Sequence, residues 1–178
     1  PVKDLKEFAA YTKANQAKMQ YGSAGAGSGS HLACAQLNAA LGVEVTHVPY
    51  RGSPPAMQDL IAGRIDYFCA LAAAAMPQIG SNSMRAVAIL TRNRSPLLPN
   101  VPTIAEQGVT GFESGTYQGV MAPAKMSKES VARLNAEFVK LFKEPKFVEF
   151  LDKQAVDSAP TTPEEFASFV AAQGAQWG

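Results

Sequence analysis

The run Tyr21-Gly22-Ser23-Ala24-Gly25-Ala26-Gly27-Ser28-Gly29-Ser30-His31 carries the clearest chemical signal in the chain, with four Gly and three Ser among residues 22–30. Such a stretch does not pack as a regular element. It forms a tight loop in which backbone N–H groups converge on one point. A helical pattern begins at Leu32, and Ser30 is the expected N-cap, so the positive end of the helix dipole faces the loop. A strand, a Gly/Ser loop and a helix N-terminus in succession suit an anion. No Asp or Glu occurs between Glu7 and Glu44, so no nearby carboxylate repels a negative guest. The competing reading of this composition is a flexible linker. His31, in the first helical turn, either braces the loop or donates to the guest.

Tyr50-Arg51-Gly52-Ser53 is a second constellation. Gly52 allows close backbone approach, Ser53 is the expected cap of the following helix, and Tyr50 is a wall or a hydrogen-bond donor. Arg51 has the charge to pair with a carboxylate, although a loop arginine is most often simply solvated.

Other chemistries find less support. Gly22 and Gly27 have P-loop spacing, but Ser28 stands where Lys is required. The third Gly of a dinucleotide fingerprint is missing. Ser23 has Gly25 behind it but Tyr21 in front, which breaks the hydrolase elbow. Only His31 and His47 could serve a serine nucleophile, and no acidic residue is placed to orient either. His47, in a strand, reads as a core or edge histidine. Two His and two Cys at these spacings fit no zinc pattern. No catalytic residue, metal or cofactor is assigned.

The elements that must position these loops alternate. A helix is expected over 3–15, with Val2, Leu5, Phe8 and Ala9 on one face, then a buried strand over 19–22. A helix over 31–41 ends at Gly42. Strand 44–49, helix 55–62, strand 65–69, helix 72–79 and strand 84–90 follow, the last apolar enough to be central in a sheet. This is an α/β layer with a mostly parallel sheet, and both loops fall at strand C-terminal ends, where ligands bind in such folds. Residues 92–115 form a Pro/Gly-rich connector with a short helix at 103–107. Strand 116–122 and three amphipathic helices close the chain. Ser127 caps the first, over 128–142, and Pro145 opens the second. A Thr162-Pro163-Glu164-Glu165 capping box starts the third, which buries Phe166, Phe169, Val170 and Trp177. One strand and three helices are not a complete lobe.

At 178 residues, 47% apolar and 17% charged, the chain is globular, as one domain or two small lobes. A net charge of +1 gives no general attraction to nucleic acid or membranes. Cys34 and Cys69 either form one disulfide or remain two buried thiols, and their apolar surroundings favour thiols.

Tyr21-Gly22-Ser23-Ala24-Gly25 through His31-Leu32 resembles the signature of the substrate-binding proteins of tripartite tricarboxylate transporters, the Bug family. So do His47-Val48-Pro49-Tyr50-Arg51-Gly52-Ser53-Pro54-Pro55-Ala56, Asp59-Leu60-Ile61-Ala62-Gly63, Arg94-Ser95-Pro96, and Leu98-Pro99-Asn100-Val101-Pro102-Thr103-Ile104-Ala105-Glu106. The resemblance runs nearly end to end. It implies a two-lobed Venus flytrap of the type II periplasmic binding protein fold, located in the periplasm, that passes a small carboxylate to membrane transporter subunits. The implied ligand-binding residues are Ser23, Gly25, Gly27, Ser28, Ser30, His31, Tyr50, Gly52 and Cys69, with donors reaching the carboxylate often through water. Residues 1–115 then correspond to the second lobe, and 116–178 to the returning C-terminal part of the first. The family's N-terminal half-lobe has no counterpart here, so the chain reads as a short form or fragment prone to self-association. Family members often carry Asp where Cys69 stands, so the pocket wall is expected to be more apolar and to favour a plain or aromatic carboxylate. Two other classes remain: a small-anion enzyme using the loop as an oxyanion cradle, and a ligand-sensing regulatory module. No DNA-reading helix pair accompanies the latter.

Overall fold

The computed structural model describes residues 2–154 and 156–177. The chain divides into two compact units, residues 1–117 and 118–178.

In the first unit, helix α1 (Leu5–Asn15) starts where Asp4 accepts the Glu7 N–H at 2.8 Å, and it buries Leu5, Phe8 and Thr12. Strand β1 (Gln20–Ser23) leads through the Gly/Ser loop to α2 (Gly29–Leu41), which ends at Gly42 in the left-handed conformation, φ 64°. Then come β2 (Thr46–Pro49), α3 (Ser53–Ile61), β3 (Tyr67–Phe68) and α4 (Ala72–Gly80). The three strands form one parallel sheet in the order β2-β1-β3. Tyr21 pairs with His47 on one side and Tyr67 on the other. Leu5, Phe8, Tyr21, Leu37, Leu41, Tyr67 and Ile104 make the core. Tyr67 donates its hydroxyl to Asn38 Oδ1 at 2.6 Å, so its one polar atom is satisfied in the interior, and burial pushes its pKa up.

The two cysteines are joined, which corrects the expectation of free thiols. α2 lies over the sheet with Cys34 on its buried face, and Cys69 follows directly after β3. The Cα atoms stand 5.5 Å apart, a separation a disulfide spans without backbone movement. Apolar surroundings suit a bridge as well as two thiols, and only the crossover from α2 to β3 decides between them.

Residues 84–90 are not a central strand. Ile89 makes a single bridge to Thr103, and the backbone groups of this segment are taken by non-strand partners. Ile89 N–H donates to Pro102, Ile104 N–H to Ile89, and Ser114 N–H to Leu90, while Gln107 Nε2 donates to the Val87 carbonyl. The apolar run still packs on the core through Val87, Ala88 and Leu90. The helix expected at 103–107 is a set of turns over 104–108.

Those turns are locked from outside. Arg94 Nε donates to both Glu106 carboxylate oxygens at 3.1 and 2.9 Å, and Glu106 also accepts the Thr103 N–H at 2.7 Å. The Arg94-to-Glu106 portion of the signature thus acts as a structural clasp. The Arg94 bonds, then the Thr103 N–H, hold the Glu106 pKa down at about 2 against an ordinary 4.5. A depressed carboxylate stabilises the fold fully above its unfolded pKa and loses that contribution as pH falls through the folded value. We expect a carboxyl NMR titration of Glu106 to have its midpoint far below 4.5, and Arg94→Gln to move it back up. An ordinary midpoint in the unaltered chain would dissolve the clasp.

In the second unit, α5 (Lys128–Leu141) is capped by Ser127, α6 (Pro145–Asp152) begins at Pro145, and α7 (Pro163–Trp177) begins at the expected capping box. In that box Thr162 N–H donates to Glu165 Oε2 at 2.8 Å, and Glu165 N–H to Thr162 Oγ1 at 3.2 Å. Asn135 on α5 donates to the Thr161 carbonyl at the entry to α7, at 2.8 Å. The strand expected at 116–122 is absent: the segment has no regular secondary structure, and among the described residues it has no strand to pair with. Burial is thinner than the amphipathic patterns suggest. Phe166 and Val170 are half-buried, whereas Phe169 and Leu134 are exposed. The Trp177 side chain lies outside the described residues.

Candidate functional site

The Gly/Ser loop leaves the C-terminal end of β1, the central strand, and enters α2. Its cap is Ser28, not Ser30: Ser28 Oγ accepts the His31 N–H at 3.3 Å and donates to the Gly25 carbonyl at 2.6 Å. Ser30 is already committed, since its Oγ accepts the Ala24 N–H at 2.9 Å. With Ser28 serving His31, the first-turn N–H groups of Gly29 and Ser30 have no preceding helical carbonyl to serve, and they point out of the helix start. These backbone donors, with the helix dipole behind them, are what the loop offers an anion.

The hydroxyls expected to meet a guest are engaged within the loop. Ser23 is fully buried, its Oγ 3.1 Å from the Gly25 N–H and 3.0 Å from the Gly25 carbonyl. Ser28 Oγ also lies 3.1 Å from Ser30 Oγ. Gly25 and Gly27 have φ of 133° and 76°, the region that favours glycine, and they turn the chain back toward α2. His31 braces the loop: its Nδ1 accepts the Gly27 N–H at 3.1 Å. That bond places the neutral ring's own proton on Nε2, which leaves Nε2 as a donor.

The structure brings the two loops together. Tyr50 N–H donates to the Ser23 carbonyl at 3.0 Å and Gly52 N–H to the Ala24 carbonyl at 3.1 Å. Gly52, φ 101°, is the N-cap residue of α3, and Ser53 is its first helical residue rather than its cap. Tyr50 is a wall. Its hydroxyl is spent on Asp59 Oδ2 at 2.8 Å, and Arg64 pairs with the other Asp59 oxygen. These two bonds, Tyr50 first, hold the Asp59 pKa low. Asp59, beside Tyr50, is therefore an ionised carboxylate already met by Arg64. Cys69 sits past the end of β3 and is held in the disulfide to Cys34, so it presents no thiol.

His47 was not among the sequence-derived site residues, yet its Nε2 lies 2.7 Å from Ser23 Oγ and its ring stacks on His31 with centroids 4.1 Å apart. The signal that could have found it is the parallel pairing of the first two strands, which sets His47 beside Tyr21, two residue pairs before the end of β1. Burial, then the neighbouring His31, lower its pKa.

Comparison with known proteins gives the family and the fold. Residues 1–178 match the tripartite tricarboxylate transporter family receptor. A UPF0065 protein of Pseudomonas sp. (strain P51), from the tcbD-tcbE intergenic region, is 39% identical over 98% of this chain and 52% of its own length. Rpa4515 of R. palustris, solved with adipate, superposes with a TM-score of 0.93 at 30% identity, covering 99% of this chain and 59% of that one. The periplasmic binding protein BugD has a TM-score of 0.91 at 35% identity, over 99% and 60% of the two chains. MatC of Rhodopseudomonas palustris, solved with malate, has a TM-score of 0.83 at 35% identity, over 99% and 59%. The chain thus spans about half the length of the curated relatives it matches, and its α/β fold is that of the periplasmic binding proteins. On the match across its whole length, the chain belongs to the tripartite tricarboxylate transporter receptor family.

Proposed function

We propose that the chain forms part of an extracytoplasmic solute receptor that binds a small carboxylate for delivery to a tripartite tricarboxylate-type membrane transporter. The observation that carries this reading is the paired loop: two helix starts, α2 and α3, tied together by the Ser23–Tyr50 and Ala24–Gly52 backbone bonds, with the nearby Asp59 charge met by Arg64. Adipate and malate, held by the similar proteins above, are small dicarboxylates of the kind such donors suit. Residues 1–115 serve as one ligand-binding lobe, and 116–178 belong to the other.

The periplasm fits the Cys34–Cys69 disulfide, since such bonds persist in oxidising compartments. Among the described residues no helix is long and apolar enough to cross a membrane.

Ser23 and His47 have the spacing of a nucleophile and its base. Ser23, however, has no exposed surface and is bonded on three sides, so we read the pair as a brace and the protein as a binder rather than an enzyme. Titration calorimetry with adipate, malate and aromatic carboxylates, run beside product assays on the matching esters, tests this. Saturable carboxylate binding without turnover is expected. Ester turnover, or no binding of any carboxylate by the receptor that carries this chain, overturns the reading.

A further inference from the structure

His47 lies on β2, outside the Gly/Ser loop, yet it touches both groups that organise it. Its Nε2 is 2.7 Å from Ser23 Oγ. Its ring stacks on His31, 4.1 Å between centroids, and on Tyr21 at 4.9 Å. Ser23 Oγ in turn meets both backbone groups of Gly25, and His31 Nδ1 accepts the Gly27 N–H. Two stacked imidazoles therefore hold the two halves of the loop, Gly25 by way of Ser23 and Gly27 by way of His31.

We propose that His47 is a positioning residue of the carboxylate site. It fixes Ser23 by direct contact and His31 by stacking, and so keeps residues 23–31 in the conformation that presents the first-turn N–H groups of α2. This rests on the receptor reading above.

The proton count gives the device a direction. His31 accepts the Gly27 N–H only while Nδ1 is bare, and an imidazolium, a donor at both nitrogens, cannot accept it. Charge on either ring opposes charge on the other at this separation. The groups facing His47 are Tyr21 and Ser23 from β1 and His31 from α2, with Tyr67 of β3 behind Tyr21 at 5.6 Å. Burial raises the Tyr21 pKa, so that hydroxyl stays neutral. The assembled loop thus favours a neutral His47, held below the ordinary histidine value of 6.5 by burial and then by His31. Protonation of His47 sets its charge against the His31 ring 4.1 Å away, so the brace weakens as pH falls.

The test uses the full chain, with adipate as the probe and the Gly25 and Gly27 amide resonances as a readout that needs no ligand. At neutral pH His47→Ala is expected to weaken adipate binding about tenfold, the effect of leaving one buried hydrogen-bonding group without its partner. It should also shift both glycine amides. His47→Gln carries an amide near the position of Nε2. It should recover most of the affinity and return both glycine resonances toward their positions in the unaltered chain. An alanine variant with unchanged affinity and unmoved Gly25 and Gly27 resonances overturns the proposal, and so does a Gln variant that behaves like the alanine one. If the receptor that carries the unaltered chain binds no carboxylate, the receptor reading fails, and the amide resonances still decide whether His47 sets the loop.

Discussion

Cutting the Cys34–Cys69 bond, by reduction or by Cys34→Ala with Cys69→Ala, is expected to remove about 4 kcal/mol of stability from the first unit. The figure follows from the separation of 35 residues between the two cysteines: closing a loop of that size restricts the unfolded chain by roughly this much. It is a large part of the stability of an ordinary domain, about 5–15 kcal/mol. Little of the loss should come from packing, because a reduced Cys34, fully buried on α2, is still a small apolar group in the same space. Chemical denaturation of oxidised and reduced protein gives the comparison, with the transition of the reduced form moving to lower denaturant. Thiol labelling under denaturing, non-reducing conditions should count no free thiol. Coincident transitions would mean that the bond does not constrain the chain. The effect reaches the site as well, since the bridge ties α2, whose first turn supplies the anion donors, to the end of β3.

What could be read from the sequence was set by local chemistry. Ser127 and the Thr162–Glu165 box act within one helical turn, and each caps where its spacing predicts, whereas Asp4, inside the helix expected over 3–15, turns out to be the cap of α1. Gly42 ends α2 because a left-handed residue is needed there. The strand–helix alternation of the first unit, the parallel sheet and the meeting of the two loops at strand C-termini follow from periodicity and punctuation. What failed depended on partners far away in the chain. Residues 84–90 have the apolar run of a central strand, but residues 102–104 and 114 take their backbone groups. Residues 116–122 have strand composition and, among the described residues, no strand to pair with. Ser28 and Ser30 are equal candidates on local grounds, and the Ala24 N–H settles the choice by occupying Ser30. The disulfide and the Ser23–His47 contact both join residues brought together only by the crossovers. The serines of the loop show the same limit in another form. Their abundance marked the stretch as a tight turn, which it is, but their hydroxyls are spent on building the turn, and the donors left over belong to the backbone.

Gly27→Val is expected to weaken carboxylate binding by about 30- to 100-fold while leaving the fold intact. The reason is conformational. Gly27 has φ of 76°, and a side chain there meets no atom within 4 Å, so crowding contributes nothing. Forcing a β-branched residue into the left-handed region costs about 2–3 kcal/mol. An exposed loop relieves that strain by leaving the conformation, and its N–H donors then no longer converge; at 1.4 kcal/mol per factor of ten this gives the stated range. Three substitutions separate this cause from others. Gly27→Asn, which tolerates positive φ, should bind nearly as well as the unaltered chain. Gly27→Ala should fall between Asn and Val. Arg51→Ala, which removes an exposed charge from the neighbouring loop, should cost less than Val. Calorimetric titration with adipate ranks the four. If Asn is as damaging as Val, side-chain bulk rather than backbone geometry is the cause. If Arg51→Ala is the most damaging of all, the guest is held by charge, and the backbone donors of α2 are not the core of the site.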